Sequence, residues 1–186
     1  MGLLTWFRRQ GLPDSRHARE WRTACAGAAM EPDEERLRAL ERDLVSWGAD
    51  EEDIEIEREM VEGLEDVVRL SAAVRESGVP VIATGHRAIG ADTCHFTAPA
   101  SMPDEDGQPS GRLLLTDRRL VFVGGARGEA IPWHAINRVM LTERDVVLVR
   151  GGDQVHRFRC NSFSEAFRAA FLARELVAAR RASQGL

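Results

Sequence analysis

GRLLLTDRRLVFVGG, residues 111–125, decides how the C-terminal half of the chain is read. Two apolar runs, Leu113 to Leu115 and Leu120 to Val123, flank Thr116, Asp117, Arg118 and Arg119. Short runs rich in Leu, Val and Phe, parted by turn-forming residues, predict a β-hairpin. Side chains alternate along a strand, so Leu113 and Leu115 are expected to pair with Leu120 and Phe122 on the core face. The same alternation sends Arg118 and Arg119 to opposite sides. Arg119 is therefore expected to be structural and Arg118 the more exposed.

The hairpin sits in a stretch of similar texture. From Val79 to Cys160 the chain reads VPVIATG, CHFTAPASM, GRLLLTD, RRLVFVGG, EAIPWHAINRVML, DVVLVRGG and QVHRFRC. Each run is short and bounded by Gly, Asp or Pro, which suggests an antiparallel sandwich or barrel. Ser162-Phe163-Ser164-Glu165 then has capping-box spacing and opens a helix to about Arg181. Phe163, Phe167, Ala170, Phe171 and Val177 lie on one side of it, facing the sheet.

N-terminal to the β region the periodicity is helical. Ala18, Trp21, Cys25 and Ala28 predict a helix from Ser15 to about Met30. Leu37, Leu40, Leu44 and Trp47 predict a second, from Pro32 to Trp47. Ile54, Met60, Leu64, Val67 and Val74 predict a third, from about Asp50 to Glu76. The short connection between the last two implies an antiparallel helical hairpin. Gly78 and Pro80 stop the helices, so the expected division is a helical region over 1–79 and a β domain over 80–186.

Charge follows this division. Residues 31–80 hold 17 acids against six Arg, whereas residues 1–30 and 81–186 each carry an excess of three Arg. The net charge is -5, and there is no Lys. An acidic chain without a basic domain argues against general nucleic-acid binding, which depends on neutralising phosphates. The three cysteines, Cys25, Cys94 and Cys160, show no CxxC spacing and fit reduced thiols in a cytoplasmic protein. No apolar stretch has the ~20 residues that span a bilayer. Leu3, Leu4, Trp6 and Phe7 beside Arg8 and Arg9 are a candidate for peripheral membrane contact, of a kind that binds only marginally on its own.

Short antiparallel strands followed by one amphipathic C-terminal helix are the layout of a pleckstrin-homology-like (PH-like) barrel, and the local wording agrees. GRLLLTDRRLVF resembles the Gly-x-Leu-x-Leu-Thr-Asn/Asp-x-Arg-Leu-x-Phe hairpin of bacterial PH-like and GRAM-like domains. IPWHAINRV resembles their hydrophobic-Pro-x-x-x-Ile-x-x-Val strand start. The resemblance covers about residues 81–182 and leaves the N-terminal helices outside it. It implies an α+β fold, in which a helical hairpin region precedes a PH-like barrel or sandwich capped by its terminal helix. It would also place lipid-binding cations in the first hairpin loop. Here that loop is SMPDEDGQPSG, whose Asp104, Glu105 and Asp106 would repel a phosphorylated headgroup.

Catalytic patterns are missing from the sequence. Cys94 and His95 are consecutive on a strand and face opposite ways. His156 and Cys160 lie four strand positions apart, about 13 Å. No zinc template is met, and no cofactor or metal is expected. A small-ligand enzyme would need a pocket joining His86, His134 and His156. Arg118, Arg127, Arg150, Arg157 and Arg159 are the candidate partner-binding residues, as a basic patch at one end of the barrel, unless the acidic helices dock there. The expected function is a non-enzymatic adaptor that recognises a protein or peptide, or self-associates through Leu37, Leu40 and Leu44. Strands 145–150 and 155–160 are the expected sheet edges. The alternative is a peripheral membrane adaptor using MGLLTWFRR and the basic patch.

Overall fold

The computed structural model describes residues 15–124 and 127–184. Three helices come first: α1 (Ser15–Met30), α2 (Glu34–Ser46) and α3 (Glu55–Ser77). Seven strands follow: β1 (Cys94–Ser101), β2 (Ser110–Thr116), β3 (Arg119–Gly124), β4 (Arg127–Pro132), β5 (Ile136–Thr142), β6 (Asp145–Arg150) and β7 (Val155–Cys160). The helix α4 (Phe163–Gln184) comes after them.

The helix ends have local causes. Asp33 accepts from the Arg36 amide at 2.9 Å, so α2 begins at Glu34 rather than at Pro32. Gly78, at φ 81°, ends α3 with its N–H donated to the Val74 carbonyl. Ser162 Oγ accepts from the Glu165 amide at 3.2 Å, and the Glu165 carboxylate accepts from the Asn161 amide at 3.2 Å. These two bonds satisfy donors that the first turn of α4 cannot use internally.

The strands form one antiparallel sheet in the order β4-β3-β2-β1-β7-β6-β5. In the β2–β3 hairpin Leu113 lies opposite Phe122 and Leu115 opposite Leu120, all four fully buried. The seam between β1 and β7 has only two pairs, Ala100 with Cys160 and Ser101 with Arg159, and the sheet folds over there. Phe122 of β3 consequently meets Phe158 of β7, with ring centroids 5.7 Å apart, although their strands are not neighbours in the sheet. α4 packs against β1, β2, β5, β6 and β7 and closes the structure. The result is a PH-like α+β fold.

Two sequence expectations are corrected. VPVIATG is not a strand: it runs as an irregular segment beside the start of β1, where the Ile82 amide donates to the Cys94 carbonyl at 2.9 Å and His95 Nδ1 donates to the Pro80 carbonyl at 2.7 Å. The edges of the sheet are β4 and β5, so the strands at 145–150 and 155–160 are interior. Edge or centre is set by long-range strand order, which turn signals and run lengths do not specify.

The main apolar core runs through both halves of the chain, and a smaller cluster of Ile89, Cys94, Leu114 and Val121 lies apart from it. Trp21 and Cys25 of α1, Met60, Leu64 and Val67 of α3, and Phe167 and Leu172 of α4 belong to the same cluster as Phe122 and Phe158. Burial on α4 extends beyond the aromatic stripe to Ala166, Ala169, Leu172 and Ala173, because α1 and α3 cover the side turned away from the sheet. Where α3 crosses α4, a Cβ on Gly63 would stand 3.0 Å from the Ser164 amide nitrogen. On either side of that crossing Glu59 accepts from the Phe163 amide at 2.9 Å, and Asp66 accepts from Ser164 Oγ at 2.7 Å. α1 is tied to α3 by Arg22, whose Nε and Nη2 reach Oε1 of buried Glu57 at 2.7 and 2.6 Å.

Candidate functional site

The structure does not gather the five arginines at one end of the sheet. Arg118 lies in the β2–β3 turn and Arg127 begins β4, so the two sit at opposite ends of β3. Arg118 is 74% exposed and has Asp92 and Asp117 at 3.7 and 3.9 Å. The side chain of Arg127 lies outside the described residues. Arg150 ends β6 and is half-buried. Arg157 and Arg159 share a face of β7, but acids of the sheet domain hold both. Arg159 clamps buried Asp145 through two bonds of 2.7 and 2.9 Å, which push its guanidinium pKa up. Arg157 lies 3.3 Å from Asp104 and 3.6 Å from Asp145.

These contacts correct one expectation and explain another. The acidic helices do not neutralise Arg157 and Arg159; Asp104 and Asp145 of the sheet domain do. Asp104 belongs to the acidic loop that argued against a lipid headgroup, and it is itself half of an ion pair. Leu3, Leu4, Trp6, Phe7, Arg8 and Arg9 lie outside the described residues.

The double arginine of the opening hairpin works as part of a knot. Thr116 Oγ1 accepts from the Arg118 and Arg119 amides at 3.3 and 3.0 Å and donates to the Arg119 carbonyl at 2.8 Å. Arg119 Nε donates to Asp92 at 2.8 Å, Trp133 Nε1 donates to the Thr116 carbonyl at 2.7 Å, and Asp117 accepts from the Thr93 amide at 2.9 Å. The knot fastens the segment before β1, the hairpin turn and the end of β4 to one another. Alternation placed the two arginines on opposite sides, yet both guanidiniums reach Asp92, because Arg118 sits in the turn where strict alternation stops.

His86, His134 and His156 belong to three separate settings. His86 caps the short helical turn Arg87–Ile89 through Nδ1, and His134 lies in the turn Trp133–Ala135. His156 is buried inside the fold, with Nδ1 2.7 Å from Glu129 Oε1, and joins β7 to β4 across the folded sheet. Among the described residues no three His, Cys, Asp or Glu side chains come together in an arrangement that could hold a metal ion. Burial pushes the thiol pKa values of Cys25 and Cys160 up to about 12, which leaves them protonated and unreactive.

A surface that could receive another molecule lies on the helical region, beside the Leu37, Leu40 and Leu44 stripe expected to self-associate. α2 and α3 run antiparallel, with the last turns of α2 beside the first turns of α3. Between them is an open trough of about 530 Å³. Leu44, Val45, Ile54 and Val61 form its apolar lining, and Glu41, Glu51, Glu62 and Glu65 stand around it with one cation, Arg58. Arg58 pairs with Glu51 at 2.7 Å, and Glu65 shares Arg69 with Asp66. Glu41 and Glu62 have no ion pair among the described residues.

Val45 is 79% exposed, the most exposed of the large apolar side chains described. It lies off the stripe of Leu37, Leu40 and Leu44, which is spent inside the chain: Leu37 and Leu44 are buried, and Leu40 packs against the same core. An apolar residue on the polar face of an amphipathic helix was the available signal, and periodicity alone passes over it.

The sequence matches no protein-family model and no curated protein. Solved structures similar to the chain include the linker-DH/PH domains of p115-RhoGEF, 11% identical over 88% of this chain and 55% of that one, with a TM-score of 0.43. The DH/PH domains of PDZ-RhoGEF in complex with GTP-γ-S-activated RhoA are 12% identical over 88% of this chain and 53% of that one, with a TM-score of 0.43. The C-terminal domain of an unknown protein from Leishmania infantum is 12% identical over 48% of this chain and 89% of that one, with a TM-score of 0.42. The chain spans about half the length of the two DH/PH chains.

Proposed function

We propose that the protein is a non-enzymatic recognition module that binds another protein through the trough between α2 and α3. The observation that carries this reading is the pairing of an exposed apolar lining, centred on Val45, with a rim of glutamates. Exposed apolar surface edged by charge is the usual form of a protein-binding patch. The arginines support a partner site less well, since Arg118, Arg157 and Arg159 already face carboxylates of their own chain. The closeness of GRLLLTDRRLVF and IPWHAINRV to GRAM-like wording supports reading the β domain as a bacterial GRAM-like variant. The three buried thiols support a cytoplasmic setting.

The test compares three baits, the wild-type chain and the Val45→Asn and Arg150→Ala variants, in affinity purification from native lysate. Val45 is exposed, so the substitution leaves folding intact. The reading expects a defined subset of captured proteins to disappear with Val45→Asn and to persist with Arg150→Ala. If both variant baits capture the same proteins as the wild type, the trough is not the recognition surface.

A further inference from the structure

We infer that the occupant of the α2–α3 trough is a cationic amphipathic helix of a partner protein. This rests on the trough being the recognition surface and adds the chemistry of what fills it. Three features specify the occupant.

The first is shape. The lining runs from Glu41 to Val45 on α2 and from Arg58 to Glu65 on α3, about 10 Å of α3 at 1.5 Å per residue. The trough is open to solvent along that length. A groove between two helices seats the ridge of a third, and two turns offer side chains at i, i+3 or i+4, and i+7.

The second is the lining. Leu44, Val45, Ile54 and Val61 are aliphatic, so they suit Leu, Ile, Val or Met on the incoming face. No buried hydrogen-bonding group lies among these four to orient a small polar ligand.

The third is charge. Four glutamates against one arginine leave the rim strongly negative, and Arg58 is already paired with Glu51. Glu41 of α2 and Glu62 of α3 both line the trough and have no ion pair among the described residues, so flanking Lys or Arg of an amphipathic helix would reach them. A neutral or acidic helix would meet repulsion at the same positions.

The experiment uses the full chain and a fluorescein-labelled 18-residue peptide built from Leu and Lys at amphipathic helical spacing, read by fluorescence anisotropy. A companion peptide has Glu in place of every Lys. The expected result is saturable binding of the Lys peptide at about 10 µM or tighter, weakening with added salt, and none of the Glu peptide. Val45→Asn and the double reversal Glu41→Lys/Glu62→Lys should each weaken binding about tenfold or more. The control reversal Glu35→Lys/Glu76→Lys changes the charge equally, away from the trough, and should change affinity less than about threefold.

Equal weakening by the two reversals would overturn the inference, since it would reduce binding to attraction by the whole acidic block. So would binding that appears only after residues 1–10 are deleted, which would make MGLLTWFRRQ the occupant. A doubled mass by light scattering at the assay concentration would overturn it in favour of a second copy. If the Lys peptide fails to bind while Val45→Asn still loses partners from lysate, the trough remains the recognition surface and only the cationic occupant is wrong. If both fail, both readings fall.

Discussion

Replacing Gly63 with Ala sets two effects of opposite sign against each other. Inside a helix Ala is favoured over Gly by about 1 kcal/mol. Against this, the new Cβ would stand 3.0 Å from Ser164 N, 3.1 Å from Ser164 Cα and 3.2 Å from the Phe163 carbonyl carbon. All three are backbone atoms, and both residues are held where they are: Phe163 by Glu59 and Ser164 by Asp66. Relief therefore requires α4 to move off α3, at a cost of about 2 kcal/mol on the scale of an overpacked core. The net effect is a loss of about 1 kcal/mol.

Gly27 supplies the control. It lies on an exposed face of α1, and a Cβ there meets nothing within 4 Å. Gly27→Ala should therefore gain about 0.5–1 kcal/mol from helix propensity alone. The two variants then differ by about 2 kcal/mol, or about 4–8 °C in Tm for a chain of this size. Urea denaturation and scanning calorimetry of the purified variants measure both numbers. A Gly63→Ala protein as stable as Gly27→Ala would show that α4 is not confined at this crossing, and the reasoning would fail with it.

Other consequences are open to the same assays. Arg119→Ala should cost about 1–2 kcal/mol, because it removes the close partner of Asp92, whereas Arg118→Ala at an exposed site should change stability by less than about 0.5 kcal/mol; the reverse order would refute the structural role of Arg119. Arg22→Ala leaves the carboxylate of Glu57, 3% exposed, without its partner, and should cost about 2–3 kcal/mol. Arg22→Met/Glu57→Met should recover most of that loss, and failure to recover it would mean that packing rather than charge holds α1 there. The hydrogen bond from Ser164, aided by Arg69, holds the Asp66 carboxyl below its usual pKa. A lowered carboxyl pKa contributes stability above the unfolded value near 4, and the contribution disappears as pH falls through the folded one. The stability gap between wild type and Asp66→Asn should thus be constant near neutrality and shrink below about pH 4; a gap that widens on acidification would contradict this.

Local patterns carried the fold well wherever a strict period met a buried face. The alternation in GRLLLTDRRLVF gave the register of β2 and β3 because each inward residue finds its partner across a two-residue turn. Helical spacing located α1, α2 and α3 for the same kind of reason. VPVIATG misled because Val81 and Ile82 are apolar yet largely exposed, and the fold offers them only one backbone bond. The unbroken apolar run Val146 to Val149 could have marked β6 as an inner strand, since strands covered on both faces lose their alternation. The trough was hidden for another reason: it exists only once α2 and α3 lie side by side, and its residues come from two separate periodic patterns.

The seat of α4 on α3 also has a consequence for how the protein is made. Glu59 and Phe163 are 104 positions apart, and Asp66 and Ser164 are 98 apart. At about 5–20 residues per second, a ribosome needs on the order of 5–20 s to travel from one to the other. Through that interval the faces of α1 and α3 that α4 covers stay bare, while the β2–β3 hairpin can already form from neighbouring residues. The helices made first are thus the part of the nascent chain that waits longest for its partner.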